Sequence, residues 1–104
     1  MPEIVLIHST FTNEAEAVSV ARALLSERLV ACANISQVRS LYRWDGAVQD
    51  APESMLLVKT SMEKQQLVMA RIRALHSYTL PCIAAYPLSA GDAAFLAWVS
   101  EEVA

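Results

Sequence analysis

Basic clusters, long apolar runs, metal-type cysteine pairs and nucleotide-binding loops are all missing from this sequence. The eight basic residues are scattered among eleven acidic ones, and the net charge is −3. Nucleic acid is therefore not expected as a partner, because phosphate binding needs concentrated positive charge. No apolar run approaches the ~20 residues of a transmembrane helix. Charges break every apolar stretch, so no membrane association is expected. No basic region precedes an apolar run at the N-terminus, so no signal peptide is expected either. The two cysteines, Cys32 and Cys82, form no CxxC motif. In a chain without a secretion signal they fit free thiols in a reducing cytoplasm. P-loop, GxSxG and HExxH motifs are absent, and neither cysteine has an activating partner in sequence, so an enzyme is not expected. No internal repeat, low-complexity segment or flexible linker is visible.

What is present is apolar character. The 104 residues suit one domain. Their hydrophobic fraction is 55%, above the usual ~45–50% of a soluble domain. With the bilayer set aside, the natural home for this excess is a permanent subunit interface, which resembles a core cut in half.

The pattern predicts its elements in order. The β-branched run from Glu3 to Ser9 reads as a strand. Asn13 with Glu16 suits a helix start, and Val18, Ala21, Leu25 and Leu29 recur at helical spacing, which predicts a helix over 13–29. A second strand runs from Leu29–Asn34 to Trp44, and Asp45-Gly46 marks a two-residue hairpin turn. A third strand returns over Ala47–Lys59, with a bulge expected at Pro52, which cannot donate a ladder hydrogen bond. Thr60 with Glu63 fits a capping box opening a second helix, whose stripe is Val68, Ile72 and Leu75. A fourth strand is expected over 80–86, and Gly91-Asp92 opens a last helix with Leu96, Val99 and Val103 on one face. The order β-α-β-β-α-β plus a terminal helix is the ferredoxin-like, split βαβ pattern of an α+β fold. Right-handed crossovers put both main helices on one side of the sheet. Yet strands 1, 3 and 4 read as apolar on both faces, so a second subunit is expected to cover the other one.

The runs Leu29-Val30-Ala31-Cys32-Ala33-Asn34-Ile35 and Ser40-Leu41-Tyr42-Arg43-Trp44-Asp45-Gly46 carry a specific likeness. Together with Leu57–Thr60, Leu75–Tyr78 and Gly91-Asp92…Phe95–Trp98, they make the chain resemble the CutA family of divalent-cation tolerance proteins along nearly its whole length. The resemblance implies a ferredoxin-like domain assembled as a compact homotrimer, similar to PII signalling proteins. It implies a link to copper and other divalent cations, and no defined reaction. Ser77, Cys82 and Ser9 stand where family members commonly have Pro, Glu and, in some, a metal-binding Cys.

The stretch LHSYTLPCIAAYP, residues 75–87, holds the best metal candidates. Imidazole suits copper and zinc, and a thiolate suits Cu(I) or zinc. His76 is the leading ligand candidate, with Cys82 or Cys32 as further ones. Each also has a packing explanation: His76 as a helix end, Cys32 as a small buried apolar residue, and Cys82 as part of a strand face shared with Leu80, Ala84 and Tyr86. The spacing matches no zinc pattern. In the sheet order 4-1-3-2, Cys32 and Cys82 lie on opposite edges, too far apart for a disulfide. Tyr42 and Trp44 share a strand face and suit a trimer interface or the wall of a ligand cleft. Lys59 could join Tyr78 and Glu53 in a polar cleft between subunits. Three functions follow: a trimeric metal-response protein, a PII-like regulator with a small ligand between subunits, and a structural or anchoring trimer.

Overall fold

The computed structural model describes residues 2–104. Strand β1 covers Ile4–Phe11, helix α1 Glu14–Ser26, strand β2 Cys32–Trp44 and strand β3 Ala47–Ser61. A short 3-10 turn, Met62–Lys64, leads into helix α2, Gln65–Leu75. Strand β4, Ile83–Pro87, and helix α3, Ala93–Glu102, complete the chain. The four strands form one antiparallel sheet in the order β2-β3-β1-β4, which is the expected α+β, ferredoxin-like arrangement.

Local chemistry explains most boundaries. The Asn13 side chain accepts a hydrogen bond from the Glu16 N–H at 2.9 Å, so α1 begins with a satisfied donor. The helix stops at Ser26, three residues short of the expected Leu29. Arg28 adopts a left-handed φ of 57°. The Leu29 N–H then returns to the Leu24 carbonyl and the Arg28 N–H to that of Leu25, both at 3.0 Å. This is a Schellman closure with arginine in the place that usually takes glycine, so the sequence offered no stop signal. At the hairpin, Asp45 (φ 53°) and Gly46 (φ 78°) both take positive φ, as a type I′ turn requires.

Three expectations are corrected. The β2–β3 register runs unbroken from Cys32↔Lys59 to Trp44↔Ala47, with Pro52 opposite Arg39, so Pro52 makes no bulge. The β1–β3 pairing ends at Phe11↔Ser54, which leaves one flank of β3 open at Pro52, where a missing N–H does little harm. Thr60 caps no helix: it is fully buried inside β3, and its hydroxyl donates to the Leu29 carbonyl at 2.6 Å. Tertiary pairing with β1 holds the strand through Ser61, and the 3-10 turn that follows has no side-chain cap. Finally, β4 starts at Ile83, so Leu80, Pro81 and Cys82 belong to the preceding loop, and Cys82 is exposed.

Helices α1 and α2 cover one face of the sheet. Val5, Ile7 and Phe11 of β1 and Leu56 and Val58 of β3 pack there against Val20, Leu24, Val68 and Ile72. Each such side chain contributes roughly 1.5–3 kcal/mol when fully buried. Ile4 points to the opposite face by strand alternation, and Leu96 and Val99 of α3 close over that end. The rest of this second face carries no helix. It presents Leu6 and His8 from β1, Met55, Leu57 and Lys59 from β3, and Ala84 and Tyr86 from β4, none of them fully buried.

Candidate functional site

The β2–β3 hairpin is longer than its neighbours. Past the Phe11↔Ser54 pair it projects as a two-stranded arm, and the molecule extends 45 × 26 × 21 Å. A groove of about 940 Å³ lies between this arm and the loop joining α2 to β4. Tyr42, Trp44 and Glu53 line it from the arm, and Tyr78, Leu80 and Cys82 from the loop. Tyr42 and Trp44 are 44% and 52% exposed within one subunit.

The polar centre of the groove is a tyrosine–carboxylate pair. The Tyr78 hydroxyl donates to Glu53 at 2.8 Å, and Glu53 is only 9% exposed. Burial pushes the Tyr78 hydroxyl up to about 12, with the hydrogen bond to Glu53 and that residue's negative charge adding to the effect. Tyr78 therefore stays protonated and donating throughout the physiological range. Among the described residues Glu53 has no cationic partner. Arg39, on the same arm, is occupied by Asp50, which accepts from Nε at 2.8 Å and Nη2 at 2.6 Å.

His76 sits behind this pair as the first extended residue after α2. Its ring stacks on Phe11 with centroids 4.2 Å apart and planes 11° from parallel. Nδ1 lies 3.1 Å from the Tyr78 backbone N–H and accepts from it. Nε2, 2.8 Å from the Thr10 carbonyl, must then carry the proton and donate. The ring is a neutral clamp that orients Tyr78, and within one subunit neither nitrogen has a spare lone pair.

The other expected site residues are dispersed. Lys59 donates to Asn34 and stands six residues along β3 from Glu53, about 20 Å at strand rise, so within one subunit the two are apart; the cleft expected for Lys59, Tyr78 and Glu53 lies between subunits. Cys32 is half-buried on β2 opposite Lys59, whereas Cys82 lies on the groove rim beyond the other sheet edge; both are free thiols. His76, Cys82 and Cys32 thus form no common ligand set, and among the described residues no three His, Cys, Asp or Glu side chains are placed to hold a metal ion. One pairing escaped the sequence reading. His8 Nδ1 lies 3.0 Å from the Tyr86 hydroxyl on the uncovered sheet face. Nothing in the local sequence of either residue marks it; only the β1–β4 register brings them together.

A family model for the CutA1 divalent ion tolerance protein matches residues 5–102. The chain belongs to that family. It is similar to the divalent-cation tolerance protein CutA of Thermus thermophilus, with 43% identity over 102 residues, covering 97% of each chain. The solved structure of the periplasmic divalent cation tolerance protein CutA from Archaeoglobus fulgidus superposes with a TM-score of 0.94 at 39% identity, covering 97% of this chain and 99% of that one. CutA1 from Pyrococcus horikoshii superposes with a TM-score of 0.92 at 30% identity, covering 96% of this chain and 98% of that one. These family names describe tolerance to divalent ions rather than a reaction.

Proposed function

We propose that the protein serves in tolerance to divalent metal ions, copper among them, as a non-enzymatic homotrimer. The observation that carries the assembly is the sheet face left without a helix. Leu6, Met55, Leu57 and Tyr86 occupy it, and a contiguous apolar surface of this kind marks an interaction site. The hairpin arm, with Tyr42 and Trp44 exposed near its tip, adds aromatic surface suited to the same interface. Light scattering should report a trimer, and Leu57→Asp should dissociate it; a monomeric wild type would refute the reading.

Copper, if held directly, would be held at His76, with Cys82 as the nearest thiol in the chain. The geometry sets a condition on this. To coordinate, His76 must release either the Tyr78 N–H or the Thr10 carbonyl, so metal binding would loosen the Tyr78 loop. Copper titration should therefore shift the amide resonance of Tyr78, and His76→Ala should abolish both the binding and the shift. Unchanged copper affinity in His76→Ala would place the metal elsewhere. No helix among the described residues is long and apolar enough to cross a membrane. Free thiols support a reducing, cytoplasmic setting, although the A. fulgidus relative is described as periplasmic.

A second reading, a PII-like regulator with a small ligand in a cleft completed by a neighbouring subunit, is favoured by one observation. The Glu53–Tyr78 pair faces an aromatic groove large enough for such a ligand. A small-molecule screen by thermal shift tests it, since a ligand specific for the native state raises Tm.

A further inference from the structure

We infer that the Tyr78–Glu53 pair is half of a site that only the trimer completes, with Lys59 of the partner subunit supplying the cation that meets Glu53. This inference rests on the homotrimer reading and adds the contact that joins one subunit to the next.

The sheet face without helices carries the argument. By strand alternation it displays Glu53, Met55, Leu57 and Lys59 of β3, while Arg39, Arg43 and Asp50 alternate to the other side. Among the described strand residues this face therefore holds one carboxylate, Glu53, and one ammonium, Lys59. Neither forms an ion pair within its own subunit. They cannot reach each other there, because six residues of strand separate them by about 20 Å. Each has a neutral partner only: Glu53 accepts from Tyr78 at 2.8 Å, and Lys59 donates to the Asn34 side chain. Arg39 borders the groove beside Glu53, but its Nε and Nη2 are bound to Asp50.

Assembly changes what these charges require. Covering the apolar face takes Lys59, already half-buried, and Glu53, 9% exposed, further out of water. A charge removed from water without an opposite charge beside it is costly. A closed ring of three is built on heterologous contacts, in which one part of a surface meets a different part of its neighbour's. This face is self-complementary in that sense. It is negative towards the arm, positive at the body end, and apolar between them at Met55 and Leu57. The arm projects past the Phe11↔Ser54 pair, so its end of the face extends beyond the subunit's own four-stranded sheet. Laying the arm end of one subunit on the body end of the next joins the two charges and covers the apolar strip together. Each interface then holds one site, with Tyr78 and Glu53 from one chain facing the partner's Lys59.

The test is a charge exchange in the full chain, read by light scattering across a dilution series. Glu53→Lys and Lys59→Glu each set like charges against one another at every interface. Each should raise the concentration of half-dissociation at least about tenfold, the low end of the coupling between close charge pairs. The double variant restores an opposite pair at every interface and should recover assembly. The separation within one chain means that such recovery comes only from contact between chains. A milder cycle of Glu53→Gln, Lys59→Met and the two together serves if a reversal variant fails to fold, and its two changes should be coupled rather than additive. Folded reversal variants that stay assembled, a double exchange that does not recover, or a milder cycle whose effects simply add would overturn the pairing while leaving the trimer in place. A monomeric wild type would overturn the trimer reading, and the pairing with it.

Discussion

Tyr78→Phe deletes one oxygen and keeps the ring, so it isolates the hydrogen bond at the centre of the groove. In the native protein that hydroxyl donates to Glu53 at 2.8 Å. A hydrogen bond to a charged group contributes ~1.5–3 kcal/mol when buried. Glu53 borders the groove, so water can replace part of what is lost, and the lower end applies: a loss of about 1–2 kcal/mol. Urea denaturation at neutral pH measures it. The pH dependence gives a second, independent reading. The folded state holds the Tyr78 proton up to about 12, against an ordinary value of 10.0. A folded value above the unfolded one means that the stabilisation is fully present below the unfolded value and is lost as pH rises through the folded one. The stability gap between wild type and Tyr78→Phe should therefore stay constant below pH 10 and shrink from there to about 12. Its absorbance counterpart is the loss, in the variant, of one of the three tyrosinate signals at high pH. In a Glu53→Gln background the gap should narrow, because the charge that strengthens the bond is gone. A neutral-pH gap within the ~0.5 kcal/mol typical of surface substitutions would refute the reasoning. So would a gap that persists unchanged above pH 12.

Two further outcomes test the local structure. Asn13→Ala should cost about 1 kcal/mol and speed amide exchange at Glu16, whose N–H loses its acceptor, while Asn13→Ser should recover most of the loss. Gly46→Val should cost about 1–2 kcal/mol through backbone strain at φ 78° alone, since an added Cβ would meet nothing within 4 Å. Faster exchange confined to the Trp44–Ala47 end of the hairpin is the expected signature, and normal exchange there would contradict the type I′ assignment.

The sequence by itself determined the element order, and through it the fold. The cap at Asn13 and the Asp45-Gly46 turn are short-range signals, and the structure keeps both; the helical pattern read over Val18, Ala21, Leu25 and Leu29 is displaced, since α1 ends at Ser26, buries Ala17, Val20, Ala21 and Leu24, and leaves Leu25 40% exposed. The sequence also made the second sheet face conspicuous, because apolar residues at alternate positions of β1 and β3 exceed what two helices can cover. Tertiary structure decided the rest. Thr60 and Glu63 spell a helix cap, yet pairing with β1 keeps Thr60 in a strand and gives its hydroxyl to Leu29. Arg28 ends α1 in a conformation that its side chain does not advertise. Lys59 and Glu53 look like neighbours along one strand, but strand rise separates them by about 20 Å. Meanwhile Glu53 and Tyr78, 25 residues apart, share a hydrogen bond because the α2–β4 loop folds back onto the arm. Residue types and spacing act over a few positions of chain; which carboxylate meets which phenol is set by register and loop path, and those exist only once the sheet has closed.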